Sequence, residues 1–177
     1  RQSAGKTSVM PKGISENIAL YISGFVDGVG SFNVSLRQKP DYKVGWQPVL
    51  SFNVSQREIT MLSLMKKYFK CGIIKRRKDG LHSYDVTNPE AIIKIIIPFF
   101  KQYYFLSPTK KKNFFLFCKV AEIMANKKHL KLSGFKELIK IREQLNLGKG
   151  RKRKYTAKNI TLESSETIRQ PLNRKKV

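Results

Sequence analysis

Two sets of residues in this chain carry chemistry that a partner would meet. The first occupies alternate positions of two stretches: Asn33, Ser35, Arg37 and Lys39, then Gln47, Ser51, Asn53 and Ser55. Alternation by two places them on one face of a strand pair, with Phe32, Val34, Leu36, Leu50, Phe52 and Val54 packed on the other. Lys75, Arg77, Ser83 and Asp85 continue the pattern on a second pair. Amides and guanidinium groups are the side chains that read base edges in a major groove, and a two-stranded ribbon fits that groove. A face that was merely solvated would mix its charges, whereas acidic residues are nearly absent from this one.

The second set is cationic. Lys110, Lys111 and Lys112, then Lys127 and Lys128, then Lys149, Arg151, Lys152, Arg153 and Lys154, and finally Arg174, Lys175 and Lys176 form runs suited to holding phosphates. Such contacts set affinity rather than sequence choice. They belong to 36 Lys and Arg against 12 Asp and Glu, a net charge of +24 in 177 residues. That excess points to a polyanionic partner. Nucleic acid fits better than a membrane, because no stretch approaches the ~20 apolar residues of a spanning helix and the basic residues are spread over several elements. Other chemistries find no footing. Cys71 and Cys118 lack zinc-site spacing and read as thiols of a reducing compartment, and His82 and His129 have no partners placed for catalysis. Neither a metal site nor a cofactor is expected.

These residues need elements to position them. Ser15 caps a helix from Glu16, and Ile18, Ala19, Ile22, Phe25 and Val26 recur at helical spacing until Gly28 and Gly30. Ser23, Gly24 and Gly28 leave one side of this helix nearly bare, so a second backbone could approach it. The strand from Phe32 doubles back through a turn at Lys39–Lys43 into a second strand at about 45–56. A helix over 58–70, ended by Gly72, precedes a hairpin around Asp79-Gly80. Asn88 and Pro89 open a further helix, which Pro98 is expected to kink or break, and two more helices cover about 110–126 and 133–145. Residues 1–14 read as a basic arm, 15–147 as the folded domain and 148–177 as a basic tail. Arg1, with no methionine before it, suggests a processed or trimmed start.

The run Ile22 to Gly30 resembles the motif that names the LAGLIDADG homing endonucleases, matching closely at Gly24, Phe25, Val26, Asp27, Gly28 and Gly30, with Ser31 just beyond. The element order helix, strand, strand, helix, strand, strand, helix extends the resemblance over roughly residues 16–147. It implies an α+β fold: a four-stranded antiparallel sheet with helices on one face, and added C-terminal helices. One copy of the motif is present, and single-motif members of the family pair as homodimers through this helix, here by way of Ser23, Gly24 and Gly28. In that family the acidic residue before the last glycine holds the divalent metal that cleaves DNA. Val29 stands at that position and has no oxygen to ligate a hard cation. The remnants implied by the resemblance are Asp27, Gln56 after the second strand, and Thr109 or Lys110 near the position of the family's lysine.

The expectation is a protein that keeps the nucleic-acid surface and lacks the cutting chemistry. With a charge of +24, RNA in a large ribonucleoprotein such as an organellar ribosome is the expected partner, alongside neighbouring ribosomal proteins and in a mitochondrial or other organelle matrix. The alternative is a homodimeric, intron-encoded endonuclease that cuts double-stranded DNA with magnesium, native or disabled at Val29.

Overall fold

The computed structural model describes residues 14–147, 153–157 and 160. Helix α1 (Glu16–Val29) opens on Ser15, whose Oγ accepts from the Ile18 amide at 3.4 Å, and buries Ala19, Ile22, Ser23 and Val26. It runs straight into strand β1 (Gly30–Gln38). Only glycine fits the join, because a Cβ on Gly30 would lie 2.8 Å from the Val26 carbonyl oxygen. Strand β2 (Trp46–Gln56) returns antiparallel, in a register that sets Gly30 opposite Val54 and Gln38 opposite Trp46. Helix α2 (Thr60–Phe69) ends on Lys70 in the left-handed region, and the chain reverses through Gly72, whose φ is +72°. Strands β3 (Ile73–Arg76) and β4 (His82–Val86) form the second hairpin. There Asp79 Oδ1 accepts from the Leu81 amide at 3.2 Å, as an Asp-Gly turn predicts. The sheet is ordered β1-β2-β4-β3, with every neighbouring pair antiparallel.

The helical layer follows. Helix α3 (Pro89–Ala91), capped by Asn88, passes through a π turn (Ile92–Ile96) into helix α4 (Ile97–Gln102) without a break. The expected interruption at Pro98 is absent for a physical reason. The Ile97 amide bonds back to the Ile92 carbonyl, five residues away, and this shift restarts the ladder just before Pro98. The proline then occupies a first-turn position, where its missing N–H is not needed. Helix α5 (Pro108–Ala125), a short 3-10 turn (Lys128–Leu130) that the sequence pattern does not announce, and helix α6 (Leu132–Glu143) complete the layer.

The core lies between these helices and one face of the sheet. Phe32 is its hub, with ring centroids 5.2 Å from Phe52, 5.9 Å from Phe100, 5.7 Å from Phe105 and 5.1 Å from both Phe114 and Phe117. The expected boundaries shift at both ends of this body. Ile14, at the end of the predicted arm, is buried. Tyr155 meets Trp46 edge-on at 4.7 Å and Ile160 is buried, so part of the predicted tail packs on the domain. The rest of the arm and tail lies outside the described residues.

β1 is an outer strand, and its free edge is closed by side chains from the C-terminal half. The carbonyl oxygens of Gly30, Phe32 and Val34 accept from Lys110 Nζ, from Asn146 Nδ2 at 2.9 Å and from Arg142 Nε at 2.9 Å. Outward carbonyls recur every second residue, so three donors at this spacing block the edge to strand addition.

Candidate nucleic-acid interface

The open face of the sheet is set by register. Arg37 stands opposite Gln47, Ser35 opposite Val49, and Asn33 opposite Ser51. Ser31, Asn53, Asp85 and Ile73 form one row across all four strands, and Ser55, Ser83 and Lys75 form the next. Ser35, Arg37, Lys75 and Arg77 are exposed, whereas Asn33, Gln47, Ser51, Asn53, Ser55 and Asp85 are half-buried. Ser31, Val49 and Ile73 also belong to this face, where alternation along each strand puts them.

Ser83 departs from the expectation. It is buried between the flanking strands, and its hydroxyl donates to Asp85 Oδ2 at 3.1 Å instead of facing a partner. The cations of the face rest on local acids: Lys39 on Asp41 at 3.3 Å, Lys75 on Asp85 at 3.8 Å and Arg77 on Asp79 at 2.8 Å. Exposed pairs of this kind are worth about 0–1 kcal/mol, so a phosphate can take over the cation at little cost.

The predicted basic runs divide. Lys111 and Lys112 are exposed on the solvent side of α5, Lys111 with its ammonium 6.0 Å from the Tyr104 ring centre. Lys127 and Lys128 are also exposed, as is Lys154. Lys149, Arg151, Lys152 and Arg174 to Lys176 lie outside the described residues. Arg153 has another task. Its guanidinium pairs with Glu143 at 3.0 Å and donates to the Arg142 carbonyl at 2.8 Å and to that of Leu145, closing the C-terminal end of α6. The orphan carbonyls of a helix end attract a cation, and that local demand was hidden inside a basic run.

The motif helix is built differently from its sequence reading at one position. Ser23 does not line the bare side; it is buried and its hydroxyl donates to the Tyr103 carbonyl at 2.7 Å. Gly24 and Gly28 are exposed, and a Cβ on either would meet nothing within 4 Å among the described residues. Leu20 and Tyr21, both more than half exposed, stand on the same helix. At its last turn Val29 is 43% exposed. Asp27 turns inward, its Oδ2 accepting from the Leu106 amide at 2.9 Å and the Ser107 amide at 3.0 Å, which ties α1 to the start of α5. Burial would raise this carboxyl, but the hydrogen bonds from Ser107 and Leu106 and the charge of Lys110 hold it below the usual carboxylate range. Its Oδ1 is shielded and has no hydrogen-bond partner among the described residues. Lys110, itself half-buried, reaches the Gly30 carbonyl; Thr109 is exposed, and Gln56 is half-buried at the end of β2. A cleft of about 850 Å³ runs from Asp27 and Lys110 along the closed edge of β1 to Arg153 and Tyr155. Away from it, burial pushes both thiols up, that of Cys118 to about 11.

An antiparallel sheet with helices on one face and a hydrogen-bonding open face defines an α+β protein of the homing-endonuclease type. The family whose description is LAGLIDADG endonuclease matches residues 22–121, and this chain belongs to it. Among solved structures, the chain is similar to the LAGLIDADG homing endonuclease I-LtrWI bound to target DNA, at 34% identity and a TM-score of 0.71, over 76% of this chain and 46% of that one. It is similar also to the archaeal intron-encoded homing endonuclease I-Vdi141I complexed with DNA, at 26% identity and a TM-score of 0.79, over 87% of this chain and 99% of that one. A Neurospora crassa protein named "Probable intron-encoded endonuclease 2" is 31% identical over 132 residues, which are 72% of this chain and 29% of that protein. The chain thus spans less than a third of that relative's length.

The divalent metal that the resemblance implies does not fit the residues at the end of α1. Val29 offers no side-chain oxygen, Asp27 spends one carboxylate oxygen on two amides and shields the other, and the positive charge of Lys110 acts on that carboxylate. Among the described residues no group of three or more His, Cys, Asp or Glu could hold a metal ion. A magnesium ion takes near-octahedral oxygen ligands including carboxylates, and nothing of that kind is assembled here.

Proposed function

We propose that this chain is a double-stranded-DNA-binding module of the homing-endonuclease fold that recognises its site with the open face of the sheet and does not itself cut the backbone. The observation that carries the reading is the register, which collects Arg37, Gln47, Asn33, Ser51, Ser31 and Asn53 on the uncovered face of the hairpin β1–β2. Its ribbon has the width of a major groove, and its side chains are the ones that discriminate bases there. The DNA-bound relatives support duplex DNA over the RNA of a ribonucleoprotein. Intron-encoded relatives support an organelle matrix as its compartment. The charge of +24 keeps RNA as the competing outcome of the test.

The full chain is to be titrated with randomised duplex DNA and with structured RNA over a range of salt, then incubated with supercoiled DNA and magnesium. Expected are sequence-selected duplexes, an affinity that falls roughly a thousandfold between about 50 and 200 mM salt if about six phosphates are neutralised, and no nicking. Nicking in magnesium would show that some other carboxylate does what Val29 cannot. Tighter binding to RNA than to any selected duplex would return the reading to a ribonucleoprotein component.

Pairing through α1 belongs to the same proposal. Among the described residues Gly24 and Gly28 have no neighbour that demands a glycine, so the bareness suits a partner. The occupant is a second copy, or a second domain of the same kind. Gly24→Ala adds a methyl to open space and improves helix propensity by ~1 kcal/mol, so the isolated chain should melt slightly higher. Self-association by sedimentation equilibrium should weaken at least tenfold. An unchanged dimer with the higher melting temperature would remove α1 from the interface.

A further inference from the structure

The edge-closing residue Asn146 also touches the open face, and the chemistry of that contact has a direction. Asn146 Nδ2 donates to the Phe32 carbonyl at 2.9 Å and to Asn33 Oδ1 at 3.0 Å. Asn33 Nδ2 in turn donates to Ser31 Oγ at 3.0 Å and towards Asn53 Oδ1 at 3.4 Å. An amide can in principle be turned either way round, but a backbone carbonyl can only accept. The Phe32 carbonyl therefore requires the nitrogen of Asn146 on its side. That nitrogen's second hydrogen requires the oxygen of Asn33, which turns the Asn33 nitrogen to the far side. The atom of Asn53 that meets it must then be its oxygen. A single carbonyl on the edge of the sheet thus fixes three side-chain amides in order.

Asn146 is well held for this. It sits just beyond α6 with φ of 55°, a left-handed conformation that asparagine tolerates, and its own amide donates to Asn113 Oδ1 at 3.0 Å. Asn33 spends both its donors and one acceptor inside the relay. Asn53 is left with its Nδ2 hydrogens for a partner.

We infer that Asn146 is a positioning residue for base recognition. It reaches no base itself; through Asn33 it makes Asn53 a donor. The inference rests on the duplex-binding reading above. A donor at this place selects base edges that accept, N7 of either purine, O6 of guanine or O4 of thymine, and disfavours the N4 amino group of cytosine. An Asn53 free to turn over presents its oxygen as well and loses that bias, taking cytosine N4 or, with both ends of the amide, adenine N6 and N7.

The test is selection of sites from a randomised duplex pool by the full chain and by Asn146→Gly, Asn33→Ala, Asn53→Ala and the double variant Asn146→Gly with Asn53→Ala. Glycine keeps the left-handed backbone of position 146 while deleting the relay. Asn33→Ala cuts the relay in the middle and leaves Asn146 on the Phe32 carbonyl, so one of the two single variants stays informative if the other folds poorly. Asn53→Ala identifies the base pair that Asn53 reads. At that pair the wild-type preference for accepting edges, about five- to tenfold for one hydrogen bond, should fall to about twofold or less in both relay variants. In Asn146→Gly the other positions of the site should keep their preferences, and in the double variant Asn146→Gly should add nothing to Asn53→Ala. A merely structural role would lower melting temperature and affinity for all sequences alike. Relay variants that keep the wild-type preference at the pair Asn53 reads would overturn the inference while leaving the duplex reading intact. A wild-type protein that selects no sequence at all would overturn both.

Discussion

Arg142→Met should destabilise the protein by ~3 kcal/mol, measured as the shift in urea-unfolding free energy. Arg142 is 4% exposed, and no other described Lys, Arg, Asp or Glu is buried. Its Nε donates to the Val34 carbonyl at 2.9 Å, and its Nη1 to the Tyr155 carbonyl at 3.1 Å and to Glu143 Oε1 at 3.0 Å. One guanidinium thereby joins the edge of β1, the end of α6 and the returning segment around Tyr155. Burial, then the like charge of Arg153, press against its protonation, while Glu143 favours it. Methionine fills the space of the stem but leaves two carbonyls without donors, that of Val34 buried and that of Tyr155 part-buried. Each costs about 1–3 kcal/mol. Glu143 retains Arg153 at 3.0 Å and is partly solvated, which holds the loss at the low end of the 3–5 kcal/mol typical of a broken buried pair. Limited proteolysis should cut the segment 153–160 in this variant before the sheet unfolds. A change below about 1 kcal/mol with an uncut segment would mean that the apolar packing of Tyr155 and Ile160 holds that segment unaided.

Phe32→Ala should cost about 3–5 kcal/mol, the range of a large aromatic removed from a core. Five other phenylalanines surround this ring, from β2, α4, α5 and the α4–α5 loop. A cavity at their common centre cannot be closed by moving one neighbour. Phe32→Leu keeps most of the volume and should cost about 1.5 kcal/mol or less. The comparison separates packing from chain placement, because the Phe32 carbonyl that holds Asn146 is present in both variants. Equal losses for Ala and Leu would show that ring geometry, rather than volume, matters at this site.

Some of this was legible without a structure because the deciding neighbours are close in sequence. Ser15 and Asn88 cap helices whose acceptors and donors lie three residues apart, at 3.4 Å to the Ile18 amide and 3.0 Å to the Ala91 amide. Asp79-Gly80 fixes a hairpin over a handful of residues. Period-two alternation survives any packing, since a strand cannot turn one side chain without turning them all, so Asn33, Arg37 and Asn53 were placed on the open face correctly. The π turn ahead of Pro98 escaped because it depends on how the helix packs, not on the proline's local veto.

The sequence by itself therefore determined most of the elements, the face on which each strand residue lies, the net charge of +24 and the valine at the end of the motif helix. Only the tertiary structure decided which of those residues are spoken for. Ser23 goes to Tyr103, 80 residues away; Asp27 to Leu106, 79 away; Arg142 to Val34, 108 away; and Asn146 to Phe32, 114 away. Alternation and capping are properties of neighbours and are written in the chain. The strand order β1-β2-β4-β3, which puts β1 on the outside with bare carbonyls, comes from the packing of all the elements together. Until that edge exists, nothing marks Lys110, Arg142 and Asn146 as the donors that must close it.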